Sequence, residues 1–153
     1  MRRYDLYIIE DLFANYYYGR EYFFYNLFKE YENANRKMKP ILLKQVEYIS
    51  SSIPVIRIHR QLMEQLKQRD DFYMKNGMFL IENSRGSASF AIQTNKCILQ
   101  SRGSFDIDMV FMEALRKTDF NFLAIDIANE RFGWVKPIKE TTYLEPFSVR
   151  RKA

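Results

Sequence analysis

The chain has one cysteine and one histidine, a scarcity that removes most of the chemistry open to 153 residues. Cys97 has no partner for an internal disulfide, and its neighbours Ile98 and Leu99 point to a strand interior, so a reducing cytosol is the expected compartment. Without a second His or a cysteine cluster, His59 cannot complete a metal site. No Ser/His/Asp or Cys/His arrangement is available either. Carboxylates are scattered, and the adjacent pairs Glu10 with Asp11 and Asp70 with Asp71 fall at element ends, where acids favour turns and helix starts. No Walker A or dinucleotide fingerprint appears. The chain is therefore read as a non-enzyme with no cofactor, no metal and no small-molecule substrate.

Long apolar runs are also missing. Arg2 and Arg3 resemble the start of a signal peptide, but Asp5 interrupts the apolar residues that follow, and Glu10 and Asp11 close them. No run is long enough to span a bilayer, so no membrane role is expected. Only four Pro and five Gly leave no room for an internal linker. A mass of 18.5 kDa, with 47% hydrophobic and 28% charged residues, fits one soluble domain over residues 1–143, followed by a basic tail over 144–153. The net charge of +5 and pI near 9.3 raise nucleic acid as a partner. Its distribution argues otherwise: Arg2, Arg3, Arg150, Arg151 and Lys152 sit at the ends, and in the body Lys and Arg alternate with Asp and Glu. With no zinc finger, helix-turn-helix or aromatic RNA-binding motif, direct nucleic-acid contact is not expected.

What the chain has in excess is aromatic rings, 11 Tyr, 13 Phe and 1 Trp, and ten of them lie between Asp11 and Tyr31. Read as one helix at about 100° per residue, this stretch spreads its apolar residues from Leu12 to Tyr31 over roughly 160°, with Arg20 inside the arc. A surface helix buries a narrower stripe. Either the helix is wedged deep between a sheet and other helices, or one edge, Phe13 and Tyr17 flanked by Arg20, is a protein-docking surface. Tyr, Phe and Arg are the types enriched at such surfaces.

Around that helix the pattern predicts an α+β fold: a strand, three helices, three strands, a helix and two strands. Tyr4 to Ile9 reads as a buried first strand. Pro40 opens a second helix reaching about Ser50, with Leu42, Val46 and Ile49 as its core stripe. Ile41, Gln45 and Tyr48, with Ile49 shared, occupy an adjacent face, where Gln45 fits either a solvated position or the rim of a patch. A third helix, about Pro54 to Gln68, puts His59 among Val55, Leu62, Met63 and Leu66, as a packed, hydrogen-bonded histidine. Strands follow at about Met78 to Glu82, Ala88 to Gln93 and Cys97 to Gln100, punctuated by two copies of SRGS, Ser84 to Ser87 and Ser101 to Ser104.

The second SRGS invites comparison with a phosphate loop, but Asp106 and Asp108 would repel an anion. Ser104 is better read as the N-cap of a helix from Phe105 to Lys117 that covers the sheet. Phe120 to Ile127 and Arg131 to Val135 then form a hairpin. In it Gly133 marks a close backbone approach or a bulge, and Trp134 serves as a core anchor. The expected sheet has about five to six strands, mostly antiparallel or mixed.

Three strings carry a resemblance: Phe13-Ala14-Asn15-x-Tyr17-Tyr18-Gly19-Arg20-Glu21, Gln45-x-x-Tyr48-Ile49, and Arg131-Phe132-Gly133-Trp134-x-x-Pro137-x-Lys139-Glu140. In order and spacing the chain resembles the sporulation inhibitor of replication family, SirA, from the first strand to Glu140; between Asp70 and Ser104 the likeness is one of strand pattern. The resemblance implies a small cytosolic protein of endospore-forming bacteria that binds the N-terminal domain (domain I) of the initiator DnaA and keeps it from acting at the chromosome origin. It also implies a contact surface at Phe13, Tyr17, Gln45, Tyr48 and Ile49. Arg20 joins these from its place on the same edge. Tyr16 and Tyr18 extend the run of rings at the rim. The alternative from another class is a small basic repressor that binds origin DNA directly.

Overall fold

A computed structural model describes residues 1–138. The basic tail expected at 144–153 lies outside the described residues, as do Lys139 and Glu140. Among the described residues the fold is α+β: an antiparallel sheet of eight strands with helices on both faces. In chain order its elements are β1 (Arg2–Ile9), α1 (Asp11–Tyr16), α2 (Tyr22–Asn33), α3 (Lys39–Ile49), β2 (Ser50–Ser51), α4 (Val55–Leu66), β3 (Phe72–Lys75), β4 (Met78–Asn83), β5 (Gly86–Ile92), β6 (Cys97–Gly103), α5 (Phe105–Arg116), β7 (Phe122–Asp126) and β8 (Arg131–Trp134). The sheet runs β3-β4-β5-β6-β1-β7-β8, and the short β2 pairs with the end of β1.

The near-continuous apolar run of β1 reflects burial on both faces. Leu6 and Ile8 point into a core closed by Ile58, Leu62 and Leu66 of α4 and Phe111 and Leu115 of α5. Tyr7 and Ile9 point the other way, into a second core with Phe24 and Phe28 of α2 and Leu42, Val46 and Ile49 of α3. The Tyr7 and Phe28 rings stack at 3.9 Å. Each buried side chain of this size is worth about 1.5–3 kcal/mol, so β1 is the element on which both cores depend.

Several expectations need correction. The aromatic stretch is two helices, not one. It breaks after Tyr16, where Gly19 takes φ +84°, and restarts at Tyr22. A glycine reaches that left-handed conformation at no steric cost, so the break is local chemistry that aromatic periodicity concealed. Eight strands replace five to six because β2 has only two residues and because Asn76-Gly77 is the two-residue turn of a hairpin between β3 and β4. Both turn residues have positive φ, 53° and 79°, as the favoured hairpin turn requires. Gly133 makes no bulge, since it pairs in register with Ala124. His59 is exposed, not packed and hydrogen-bonded: the buried stripe of α4 is Ile58, Leu62 and Leu66, leaving His59 beside the Phe79 ring at 5.0 Å.

Ser104 caps α5 as expected, accepting from the backbone N–H of Asp106 at 3.1 Å. The SRGS repeat also has a physical basis. Gly86 and Gly103, one from each copy, sit opposite each other across β5 and β6. A Cβ on Gly86 would run into the carbonyl of Arg102, and one on Gly103 into that of Arg85, and both residues have positive φ. Gly103→Ala is expected to lower stability by about 2 kcal/mol or more, from backbone strain and the clash together. Thermal melting beside Gly133→Ala, a site open to a Cβ, checks this. Cys97 is the first residue of β6, not part of a strand interior as its neighbours suggested; it is fully buried, and burial pushes its thiol up to about 12.

Candidate protein-docking surface

One tether joins the start of α1 to the end of α3, and a second holds it at the start of β7. The backbone N–H of Glu10 donates to the carbonyl of Ile49 at 3.1 Å. Asn121, just before β7, donates through Nδ2 to the Asp11 carboxylate at 2.6 Å. Ala14, wholly buried, faces inward on α1 and leaves Phe13 and Tyr17 half-buried at the edge. From there Phe13 meets Tyr48 of α3 with ring centroids 5.2 Å apart, tilted by 60°. Thus two residues far apart in sequence form one aromatic ridge.

Tyr17 holds its place through the break that follows it. Its ring stacks on Phe23 of α2 at 4.2 Å, nearly parallel, and meets Phe24 edge-on at 5.3 Å. The Arg20 guanidinium lies 5.2 Å from the ring centres of both Tyr16 and Tyr17, and its Nη2 donates to the Tyr16 carbonyl at 2.6 Å. A cation over two rings stiffens both and leaves the outer side of Arg20 in solvent.

The six residues singled out from sequence divide as follows. Phe13 and Tyr48 are in contact, and so are Tyr17 and Arg20, with Phe13 one helical turn from Tyr17. Gln45 is exposed on α3, one turn before Ile49. Ile49 is only 5% exposed and belongs to the core, so its main part is to hold α3 in place. Leu12 and Tyr16, which helical spacing counts within the wide apolar arc, are 72% and 64% exposed on the outer side of α1. On α3, Ile41 is likewise exposed beside Gln45 and Tyr48, at helical spacings of four and three. The shortness of α1 explains the difference. A six-residue helix buries one side only, and the wide arc computed for a longer helix does not form.

The surface therefore carries Leu12, Phe13 and Tyr16 from α1, Tyr17 at its C-terminal cap, Ile41 and Tyr48 from α3, and polar rims at Arg20 and Gln45. Rings and aliphatic side chains lie at its centre and polar groups at its margin, a composition found at protein-recognition surfaces. Elsewhere, a polar cleft of about 550 Å³ lies between α3 and the β5–β6 turn. Its half-buried Lys96 donates to both Asp5 and Glu32 at 3.0 Å. Among the described residues no group of three His, Cys, Asp or Glu is placed to hold a metal ion, and no helix is long and apolar enough to cross a membrane.

Residues 2–139 match the family described as sporulation inhibitor of replication protein SirA. The chain is also 30% identical over 149 residues to the sporulation inhibitor of replication protein SirA of Bacillus subtilis strain 168, covering 94% of this chain and 99% of that protein.

Proposed function

The chain belongs to the family of the sporulation inhibitor of replication protein SirA, and we propose that it inhibits initiation of chromosome replication during sporulation by binding the N-terminal domain of DnaA in the cytoplasm. Binding uses the α1 and α3 surface, with Phe13, Tyr17 and Tyr48 at its centre and Arg20 and Gln45 at its margin. Neither catalysis nor DNA contact is part of the mechanism. Occupying that domain withholds the initiator from the origin.

The observation that carries this reading is the Phe13–Tyr48 contact. It joins two helices into one ridge while leaving Tyr48 71% exposed, a large ring that folding alone does not use. Aromatic side chains with few rotatable bonds, backed by a rigid stack such as Tyr17 on Phe23, lose little freedom on binding. Charge sits at its edges, with Lys44 exposed between Ile41 and Tyr48 on α3. Of the residues assigned to the contact only Arg20 is ionised, so the complex is held mainly by apolar burial.

Titration against the N-terminal domain of DnaA at low and high salt tests this. Saturable binding with a shallow salt dependence is expected, because few charges are neutralised. Affinity for origin duplex that falls steeply with salt, together with no binding to that domain, would mean a DNA-binding repressor, since each neutralised phosphate releases counterions.

A further inference from the structure

Two of the strings that distinguish this sequence lie at opposite ends of the chain, and the fold joins them through one carboxylate. Trp134 of β8 donates its indole Nε1–H to Glu21 Oε2 at 3.1 Å. The same oxygen accepts the backbone N–H of Gly19 at 3.0 Å. Phe24 packs edge-on to the Trp134 ring at 6.1 Å. Both Glu21 and Trp134 are half-buried.

The α1–α2 turn needs such a fastening. Gly19 has no side chain, its left-handed backbone stands clear of neighbours, and the other hydrogen bonds within 17–20 are local to the turn. A break of this kind can close at many angles. The angle chosen decides where Tyr17 and Arg20 stand relative to Tyr48.

We propose that Glu21 is a positioning residue for the docking surface: anchored on the sheet by Trp134, it pins the Gly19 turn and so fixes where the segment after α1 places Tyr17 and Arg20. This rests on the α1 and α3 surface being the docking site. Glu21 acts through the turn, because its bonded oxygen is committed to two donors inside the protein. A bond between a carboxylate and an N–H is among the stronger hydrogen bonds a protein makes, and this one is part-buried.

The test compares Glu21→Ala, Glu21→Gln and Trp134→Phe with the unaltered chain. Affinity for the N-terminal domain of DnaA is measured together with hydrogen exchange at the Gly19 amide. Glu21→Ala and Trp134→Phe are expected to weaken binding about tenfold and to speed Gly19 exchange, with the melting transition still cooperative, while Glu21→Gln, which keeps an acceptor oxygen, stays near the unaltered chain. On a Tyr17→Ala background the Glu21→Ala loss should largely vanish, because the turn then has no ring to position.

Unchanged affinity in a folded Glu21→Ala chain overturns the proposal, as does a loss that simply adds to that of Tyr17→Ala. Unaltered Gly19 exchange also overturns it, whatever the affinity. If the unaltered chain does not bind the domain at all, the docking reading fails and takes the proposed role of Glu21 with it. The exchange data then report separately whether the turn is fastened.

Discussion

Tyr17→Ala should weaken binding to the N-terminal domain of DnaA by about 2 kcal/mol or more, roughly thirtyfold, and should also lower the melting temperature. Both effects follow from its position. The ring is half in the protein, stacked on Phe23 and touching Phe24, and half at the surface under Arg20. Truncation removes a contact ring, frees Arg20 and leaves a gap above Phe23, so the binding loss alone does not separate docking from folding. Tyr48→Ala makes that separation. With most of its ring in solvent and its internal contact confined to the edge of Phe13, its loss should change stability by less than about 1 kcal/mol while costing a similar share of affinity.

The largest effect on stability is expected from Arg2→Met. Asp108 of α5 is completely buried, and Arg2 of β1 meets both of its oxygens, through Nε at 2.8 Å and Nη2 at 3.1 Å. The hydrogen bond to Asp108 holds the Arg2 guanidinium above its ordinary value despite some desolvation. Removing the cation leaves a carboxylate in the core without its counter-charge, at a cost of about 3–5 kcal/mol. Replacing both partners, as Arg2→Met with Asp108→Leu, should recover most of that loss, because no buried charge remains. Denaturant unfolding of the two variants checks this, and equal stability of the single and double variants would contradict it. Because Arg2 and Asp108 lie on the sheet face of α4 and α5, across β1 from α1 and α3, binding through the proposed surface by the folded variants should be unchanged.

Much of this architecture was legible in the residues. Tyr4 to Ile9 announced a buried strand, Ser104 with two following acids announced the start of α5, and Leu42, Val46 and Ile49 announced the inner stripe of α3. The sequence also carried the signals that were passed over. Gly19 marked the end of α1, and Asn76-Gly77 marked a tight hairpin, but strong aromatic periodicity in one case and a short, exposed strand in the other outweighed them.

For the candidate docking surface, helical spacing was enough to put Phe13 with Tyr17 and Gln45 with Tyr48. Spacing could not show that Phe13 and Tyr48 touch. That contact depends on the backbone bond from Glu10 to Ile49, between groups every residue possesses. The same limit applies to Ile49, whose burial is decided by what packs across from it, and to the bond joining Glu21 to Trp134 across most of the chain. Long-range pairings of this kind leave no periodic trace.

The most direct test of the central claim is a calorimetric titration of the N-terminal domain of DnaA with this protein and, in parallel, with Tyr48→Ala. Saturable binding by the unaltered chain, weakened about thirtyfold in a variant that melts like its parent, is the predicted result. Equal affinity of the two chains would place the contact elsewhere on the molecule and contradict the account.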